Sequence, residues 1–382
     1  MQFSQPIPLS LYVHYPWCVQ KCPYCDFNSH TLGQNDEAAY IDALLRQLEQ
    51  TLPSIWGRPI HSIFFGGGTP SLMSQAGLER FMSQARALLG FRPDIEITLE
   101  ANPGTVDYEK FAGFREAGIN RLSMGIQSFD DTKLKSLGRI HSSGEAQKAI
   151  QAAKDAGFKN FNLDLMFALP NQTLEEALAD IEMALSFAPP HLSHYQLTLE
   201  PNTPFYKNPP VLPEDDLSWD MQLACQARLK EAGFEHYEVS GFTRPGQNCR
   251  HNLNYWQFGD YIGLGAGAHG KITDMALGVI SRTQMPASPG GYVDMIQQGK
   301  LGRTTPVAED EVVFEFMLNT LRLQAGFALS LFEQRTGLPL EMCQVQLDEM
   351  QSKGWASIDE GVLHLTQQGK TYLNEVLQIF LA

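Results

Sequence analysis

Cysteine is scarce in this chain, with six in 382 residues. That is too few for a disulfide scaffold of this length and excludes the small cross-linked secreted folds. Positive charge is short as well: 28 Lys and Arg stand against 43 Asp and Glu, a net charge of −15. No Lys/Arg-rich run interrupts that acidity, which argues against a protein that tracks nucleic-acid phosphates. Nowhere do about 18 apolar residues run together, so no transmembrane helix is expected. The first positive side chain is Lys21, so neither the charged start of a secretory signal nor an Arg-rich transit segment is expected. A cytoplasmic, reducing compartment follows as the expectation. What is present is ample: 43% hydrophobic and 10% aromatic residues exclude a disordered or fibrous chain. The length accommodates about two or three domains.

The first half alternates strand and helix patterns. Apolar strand-like runs fall at 9–14, 60–65, 95–100, 121–126, 161–167 and 192–199, with helical patterns near 38–52, 75–89, 108–117, 145–156 and 174–185. Such alternation predicts an α/β fold with a parallel sheet, and five units plus a sixth strand suit a partial (β/α)6 barrel. An open doubly wound sheet fits the same pattern. Gly118, Gly157 and Gly233 each follow a basic-acidic-Ala triplet and are placed to stop helices in the left-handed conformation. A Pro-rich stretch, 201–213, closes the barrel section at residues 1–213. An accessory region, 214–308, follows, with a helix at 214–232, a short strand near 236–241 and a Gly-rich run at 259–270. From 309 to 382 the patterns are helices at 309–323, 329–336 and 340–353, a hairpin turning at Asp359-Glu360-Gly361, and one last helix at 367–381. That order is winged-helix-like, and its lack of clustered positive charge points to an interaction or lid domain rather than a DNA reader.

Three of the six cysteines crowd into Cys18-x-x-x-Cys22-x-x-Cys25, directly after the first strand. In a βα barrel this is the face on which active sites are built. A four-iron, four-sulfur cluster held by three thiolates keeps one iron free for a small ligand. Zinc completed by His14 or His30 is the competing reading of the spacing.

The run Tyr12-Val13-His14-x-Pro16-Trp17-Cys18-x-x-x-Cys22-x-Tyr24-Cys25 resembles the signature of the radical S-adenosylmethionine superfamily. It is most similar to the branch holding oxygen-independent coproporphyrinogen dehydrogenases and haem chaperones, and the likeness runs from Tyr12 into the C-terminal module. The resemblance implies a 4Fe-4S cluster on Cys18, Cys22 and Cys25 and a radical SAM partial barrel.

The residues after the other strands suit a bound cofactor. Gly66-Gly67-Gly68-Thr69-Pro70 lets main chain approach a ligand without a Cβ in the way. Glu100 closes the third strand, Gln127 the fourth, and Asp164 sits inside the fifth, where a charge must be paired or functional. Arg139 has the geometry to pair with a cofactor carboxylate or with one of these acids. In the family, positions matching Tyr12, Tyr24, Gly67, Gly68, Thr69, Glu100, Gln127, Arg139 and Asp164 line S-adenosylmethionine, and the resemblance implies that role here.

Two departures from the dehydrogenases matter. They carry a further cysteine two residues beyond the third ligand, where this chain has Asp26-Phe27, and an N-terminal extension, whereas Tyr12 lies near the start here. Conversely His251-Asn252-Leu253-Asn254-Tyr255-Trp256 resembles the His-Asn-x-x-Tyr-Trp motif of the haem chaperones. An imidazole ligates iron, and Tyr and Trp offer flat apolar faces to a porphyrin. A buried packing patch is the plain alternative for such a hexapeptide. Cys249 is either a second thiolate ligand or a free thiol. His14, His194 and His269 read as structural, and Cys225 and Cys343 as core.

The resemblance therefore implies a protein that binds haem b through His251, Asn252, Tyr255 and Trp256. It would deliver haem to apo-haemoproteins of the respiratory chain, as a homodimer in one of its states. Nucleic acid is not expected as a partner, and any membrane visit would be transient and through a protein partner. The alternatives are a coproporphyrinogen III dehydrogenase acting by radical decarboxylation and an iron–sulfur sensor whose tail binds a partner.

Overall fold

In the strand Leu9–Tyr15 (β1) every second residue is large and apolar, and Leu9, Leu11, Val13 and Tyr15 are buried against helices. Ser10, Tyr12 and His14 point the other way, as the period of two requires. The same division recurs in Ile60–Gly67 (β2), Phe91–Ala101 (β3), Arg121–Gln127 (β4), Phe161–Phe167 (β5) and His191–Gln196 (β6). Ile63, Phe65, Ile97, Leu99, Leu122, Met124, Leu163 and Leu192 join the helix-facing core. Ser62, Glu96, Glu100, Arg121, Ser123, Asn162, Asp164 and Ser193 lie on the other face. Parallel strands covered by helices on both faces read as continuous apolar runs. Here one face is polar, because it encloses a cavity. The computed structural model describes residues 1–33 and 35–381.

The helices Glu37–Thr51 (α1), Gln75–Leu88 (α2), Tyr108–Glu116 (α3), Ser143–Asp155 (α4) and Leu174–Ser186 (α5) alternate with these strands. Each begins on a side-chain cap: Asp36, Ser74, Asp107, Ser142 and Thr173 accept N–H groups of the first turn. Ser142 with Glu145 and Thr173 with Glu176 complete capping boxes. The three helix-ending glycines are left-handed as expected, with φ of 105° at Gly118, 86° at Gly157 and 80° at Gly233. The fold is a partial (β/α)6 barrel with a winged-helix-like domain after it.

The sheet extends beyond the six strands. Gly241–Thr243 (β8) adds antiparallel to β6 and Glu235–Glu238 (β7) antiparallel to β8, while Asp260–Leu264 (β9), His269–Asp274 (β10), Val279–Gln284 (β11) and Arg303–Pro306 (β12) add beyond β1. The order is β12-β11-β10-β9-β1-β2-β3-β4-β5-β6-β8-β7. Within the Gly-rich run, β9 is a seventh parallel strand, registered Leu9 with Asp260 through Val13 with Leu264. Residues 214–308 thus flank the barrel on both edges. They also supply helix Asp215–Glu231 (α6), which packs on α5, and a short helix, Arg250–Trp256 (α7).

The C-terminal part has its own core around Phe316, Phe332, Leu347 and Val376. Its sheet orders Phe327–Ala328 (β13), Val362–Leu365 (β15) and Ala356–Asp359 (β14), with β15 in the middle. The single last helix expected over 367–381 is two, Gln367–Thr371 and Leu373–Gln378. Tyr372 breaks it, since its φ of −106° and ψ of 38° lie outside the helical region. Among the described residues no helix is long and apolar enough to cross a membrane.

Candidate functional site

The cysteine loop is a closed excursion. Trp17–Cys18 pairs in parallel with His30–Thr31, so both ends of the loop are tied together at the C-terminal end of β1. The glycine loop after β2 locks against it: Gly68 N donates to Tyr15 O at 2.8 Å and Thr69 N to Trp17 O at 2.8 Å. A Cβ on Gly68 would stand 2.7 Å from Trp17 O, and one on Gly67 would stand 2.5 Å from the His14 ring. Glycine is therefore required here for packing against the cysteine loop as well as for approach to a ligand. Gly67 also has a φ of 113°, which favours glycine.

Cys18, Cys22 and Cys25 are free thiols that line one cavity of about 530 Å³. Burial pushes the Cys18 and Cys25 thiols up, opposed at Cys18 by Thr69 and Ser29 and at Cys25 by the Phe27 backbone. Arg139 Nη1 lies 3.5 Å from Cys22 Sγ, a cation beside a thiol that must ionise to bind metal. Arg139 does not pair with Glu100 or Asp164; its Nη2 donates to Gly125 O at 2.7 Å, and Nη1 also reaches Tyr24 OH at 3.5 Å.

Among the described residues no three His, Cys, Asp or Glu side chains gather closely enough to hold a single metal ion. His14 is occupied at both nitrogens, by Tyr12 OH at 3.0 Å and Asn28 O at 2.7 Å. His30 Nε2 meets Ala287 O at 3.2 Å. His14 therefore has no free nitrogen for a zinc ion, and His30 holds its Nε2 on Ala287. Three thiols facing one cavity, beside a cation, suit a polynuclear cluster that takes one thiolate per iron.

Further along the cavity Glu100 Oε2 accepts from Gly67 N at 3.1 Å. Burial, reinforced by Asp164, raises its carboxyl to about 8 against the pull of that N–H. Asp164 is raised by burial too, and is held by Asn162 Nδ2 at 2.7 Å and Ser123 Oγ at 3.1 Å. Gln127 has a φ of 70°, and a register shift against β5 accompanies it. Its Oε1 accepts from Tyr195 OH at 2.9 Å. A non-glycine residue held left-handed at a cavity wall marks a re-aimed side chain. Tyr24, Gly67, Gly68, Thr69, Glu100, Gln127, Arg139 and Asp164 thus share the cavity with the cysteines. Tyr12 lies across Gly67 and Glu100 in an adjoining cavity of about 500 Å³, with Tyr255, Tyr261 and His269.

The His-Asn-x-x-Tyr-Trp segment forms α7, and α7 sits inside the barrel. Glu96, an inward residue of β3, caps it by accepting from Arg250 N and His251 N, both at 3.1 Å. Cys249, fully buried, donates its Sγ to Glu96 at 3.5 Å, and burial pushes its thiol up to about 12. His251 is buried: its Nδ1 meets Ser62 Oγ at 2.9 Å, its Nε2 meets Tyr255 OH at 3.2 Å, and its ring stacks on Phe64 with centroids 5.0 Å apart. Burial lowers it to about 3, so it is neutral. One face of α7, with His251 and Tyr255, packs on β1 and β2, while Asn252 and Trp256 face the main cavity.

Several cavity residues escaped the sequence reading: Arg121, Ser123, Asn162, Ser193 and Tyr195 on the strands, and Arg322 from the C-terminal domain. Behind them, His191 bridges Asn162 Oδ1 at 2.7 Å and Tyr237 OH at 2.9 Å. The signal for Arg121, Ser123 and Asn162 was available, since each alternates with apolar neighbours, whereas Tyr195 stands between His194 and Gln196.

A family model for the radical SAM superfamily matches residues 12–184, and one for the HemN C-terminal domain matches residues 307–371. Heme chaperone HemW of Escherichia coli (strain K12) is 47% identical over 377 residues, covering 98% of both chains. Heme chaperone HemW of Bacillus subtilis (strain 168) is 35% identical over 380 residues, covering 97% of this chain and 99% of that one. Among solved structures, coproporphyrinogen III oxidase (HemN) from Escherichia coli, a radical SAM enzyme, aligns with a TM-score of 0.82 at 24% identity. It covers 98% of this chain and 90% of that one, a likeness of fold.

Proposed function

The chain belongs to the HemW family of heme chaperones within the radical SAM superfamily, and from that premise we propose that it carries haem b to apo-haemoproteins. In this reading Cys18, Cys22 and Cys25 hold a 4Fe-4S cluster, and Tyr24, Gly67, Gly68, Thr69, Glu100, Gln127, Arg139 and Asp164 cradle S-adenosylmethionine, with Tyr12 behind Gly67. The observation that carries it is a single cavity lined by the three cysteines, the cofactor cradle and the Asn252/Trp256 face of α7. The cluster supplies, when bound, an iron without a protein thiolate and so an open position for a small ligand.

The residues of this chain divide the remaining work. Arg139 neutralises charge beside Cys22, and Glu100, raised toward neutrality, is able to donate as well as accept a hydrogen bond. Asn252 and Trp256 offer a polar head and a flat apolar wall to haem. His251 is neutral, the form that would ligate iron, and it would give up one of its two bonds, that to Ser62 or that to Tyr255, to do so. Delivery to respiratory-chain acceptors in the cytoplasm, with a homodimeric state, completes the proposal.

Anaerobic reconstitution followed by haem titration with and without S-adenosylmethionine tests it. The expected result is iron and sulfide in cluster stoichiometry, tight haem binding weakened in His251→Ala and Trp256→Ala, and haem transfer to an apo-acceptor. Zinc without sulfide, or no haem binding, overturns the reading. Vinyl products from coproporphyrinogen over many turnovers would replace it with the dehydrogenase.

A further inference from the structure

Four cavity-lining side chains carry a buried polar atom with no hydrogen-bond partner among the described residues: Arg121 Nε, Arg139 Nε, Trp256 Nε1 and Arg322 Nε. All four are N–H donors. Arg139 belongs to the cysteine end, and the other three belong elsewhere. Arg121 opens β4, whereas Gln127 closes it, and the residues between face the cavity at alternate positions. Six steps of about 3.3 Å put the two ends of that strand roughly 20 Å apart. Arg322 stands over the Trp256 ring, 4.5 Å from its centroid, and is the contribution of the C-terminal domain to the cavity.

Arg121 is 2% exposed, with no side-chain hydrogen bond or ion pair among the described residues. The carboxylates whose charge reaches it are committed elsewhere. Glu96 caps α7, and Asp164 is held by Asn162 and Ser123. Glu238, near Arg322, is buried and raised by that burial. Glu96 and Asp164 keep the guanidinium charged, but their oxygens do not take its donors, and its Nε is left without a partner. Its fork matches a carboxylate.

The geometry points to a carboxylate-binding subsite at the deep end of the cavity, in which Arg121 and Arg322 take the acid side chains of a flat ligand stacked on Trp256. This rests on the haem reading and deepens it: the carboxylates are the propionates of a tetrapyrrole, whose iron lies away from these arginines.

The test uses metal-free protoporphyrin IX and its dimethyl ester, so that iron ligation plays no part, alongside haem itself. Each is titrated into the full-length protein and into Arg121→Met and Arg322→Gln. The wild type is expected to bind the diacid about 10- to 100-fold more tightly than the ester, the worth of a charge-assisted hydrogen bond or two. The variants should lose most of that preference while binding the ester as well as the wild type does. Unliganded Arg121→Met should unfold somewhat earlier than the wild type, because buried Glu96 and Asp164 lose a neighbouring cation. Equal binding of diacid and ester overturns the subsite, and so does a folded Arg121→Met protein that keeps the preference. If haem binds while diacid and ester do not differ, the subsite fails and the chaperone reading stands. If neither haem nor either porphyrin binds, both fail.

Discussion

At the cysteine end of the cavity the polar groups largely answer one another. Gly67 N–H meets Glu100, Gln127 meets Tyr195, Asp164 meets Asn162 and Ser123, and Arg139 meets Gly125 O. At the opposite end Arg121, Trp256 and Arg322 offer N–H groups that meet no partner among the described residues. The first end is held in shape before any ligand arrives, as a site that must position a reactive group requires. The second keeps hydrogen-bond donors unspent, which an anionic ligand is suited to engage. The contrast also follows the chain: the first end is built by loops after strands of one barrel, the second by a strand start, a helix inside the barrel and the C-terminal domain.

The sharpest way to separate the two ends is to remove a cysteine. Cys22→Ala is expected to take up no cluster iron or sulfide, while keeping the diacid-over-ester preference of the deep end. Loss of that preference would join the two ends into one. Next in size, Glu96→Ala leaves the Arg250 and His251 N–H groups and the Cys249 thiol without their acceptor. Urea unfolding should show a loss of about 2–3 kcal/mol, and Glu96→Gln should lose less. Gly68→Ala drives a Cβ into the Pro16–Trp17 backbone, at a cost of about 1–3 kcal/mol by the same measurement and with poorer cluster uptake.

The last prediction is a pH dependence at the first end. Glu100 is raised from 4.5 to about 8, so between those values the folded protein holds a proton that the unfolded chain has released. Stability contributed by the neutral acid is therefore lost as pH rises through this window, with a slope of at most about 1.4 kcal/mol per pH unit. Glu100→Gln should gain on the cluster-free wild type from pH 5 to pH 8 in paired unfolding curves. Parallel curves would place Glu100 in a wetter setting.

The strands, helices and helix-stopping glycines of the barrel were legible because period and caps are local properties. So was the cysteine loop, whose spacing is itself the signal. Strand β9 was not, since Gly259, Gly263, Gly265 and Gly267 hide a short strand whose pairing partner lies near the other end of the chain. Arg121 was passed over as the first residue of an apolar run, although Arg121, Ser123 and Gly125 alternate with Leu122, Met124 and Ile126. The motif helix α7 was recognisable as chemistry, but not its place inside the barrel. Glu96, Ser62 and Phe64 hold it there, and nothing in the hexapeptide names them. The break at Tyr372 has no local signal, as no glycine or proline stands beside it.

The pairing of β1 with β9 also bears on how the chain is made. Leu9 must wait for Asp260, about 250 residues later. At roughly 5–20 residues per second, synthesis leaves one edge of the first strand unpaired for about 12 to 50 seconds. For that interval the nascent barrel presents a bare, apolar-backed strand edge, a template for pairing with other chains. Helix α7 emerges just before β9, so the strand that protects the edge and the helix that fills the barrel arrive together.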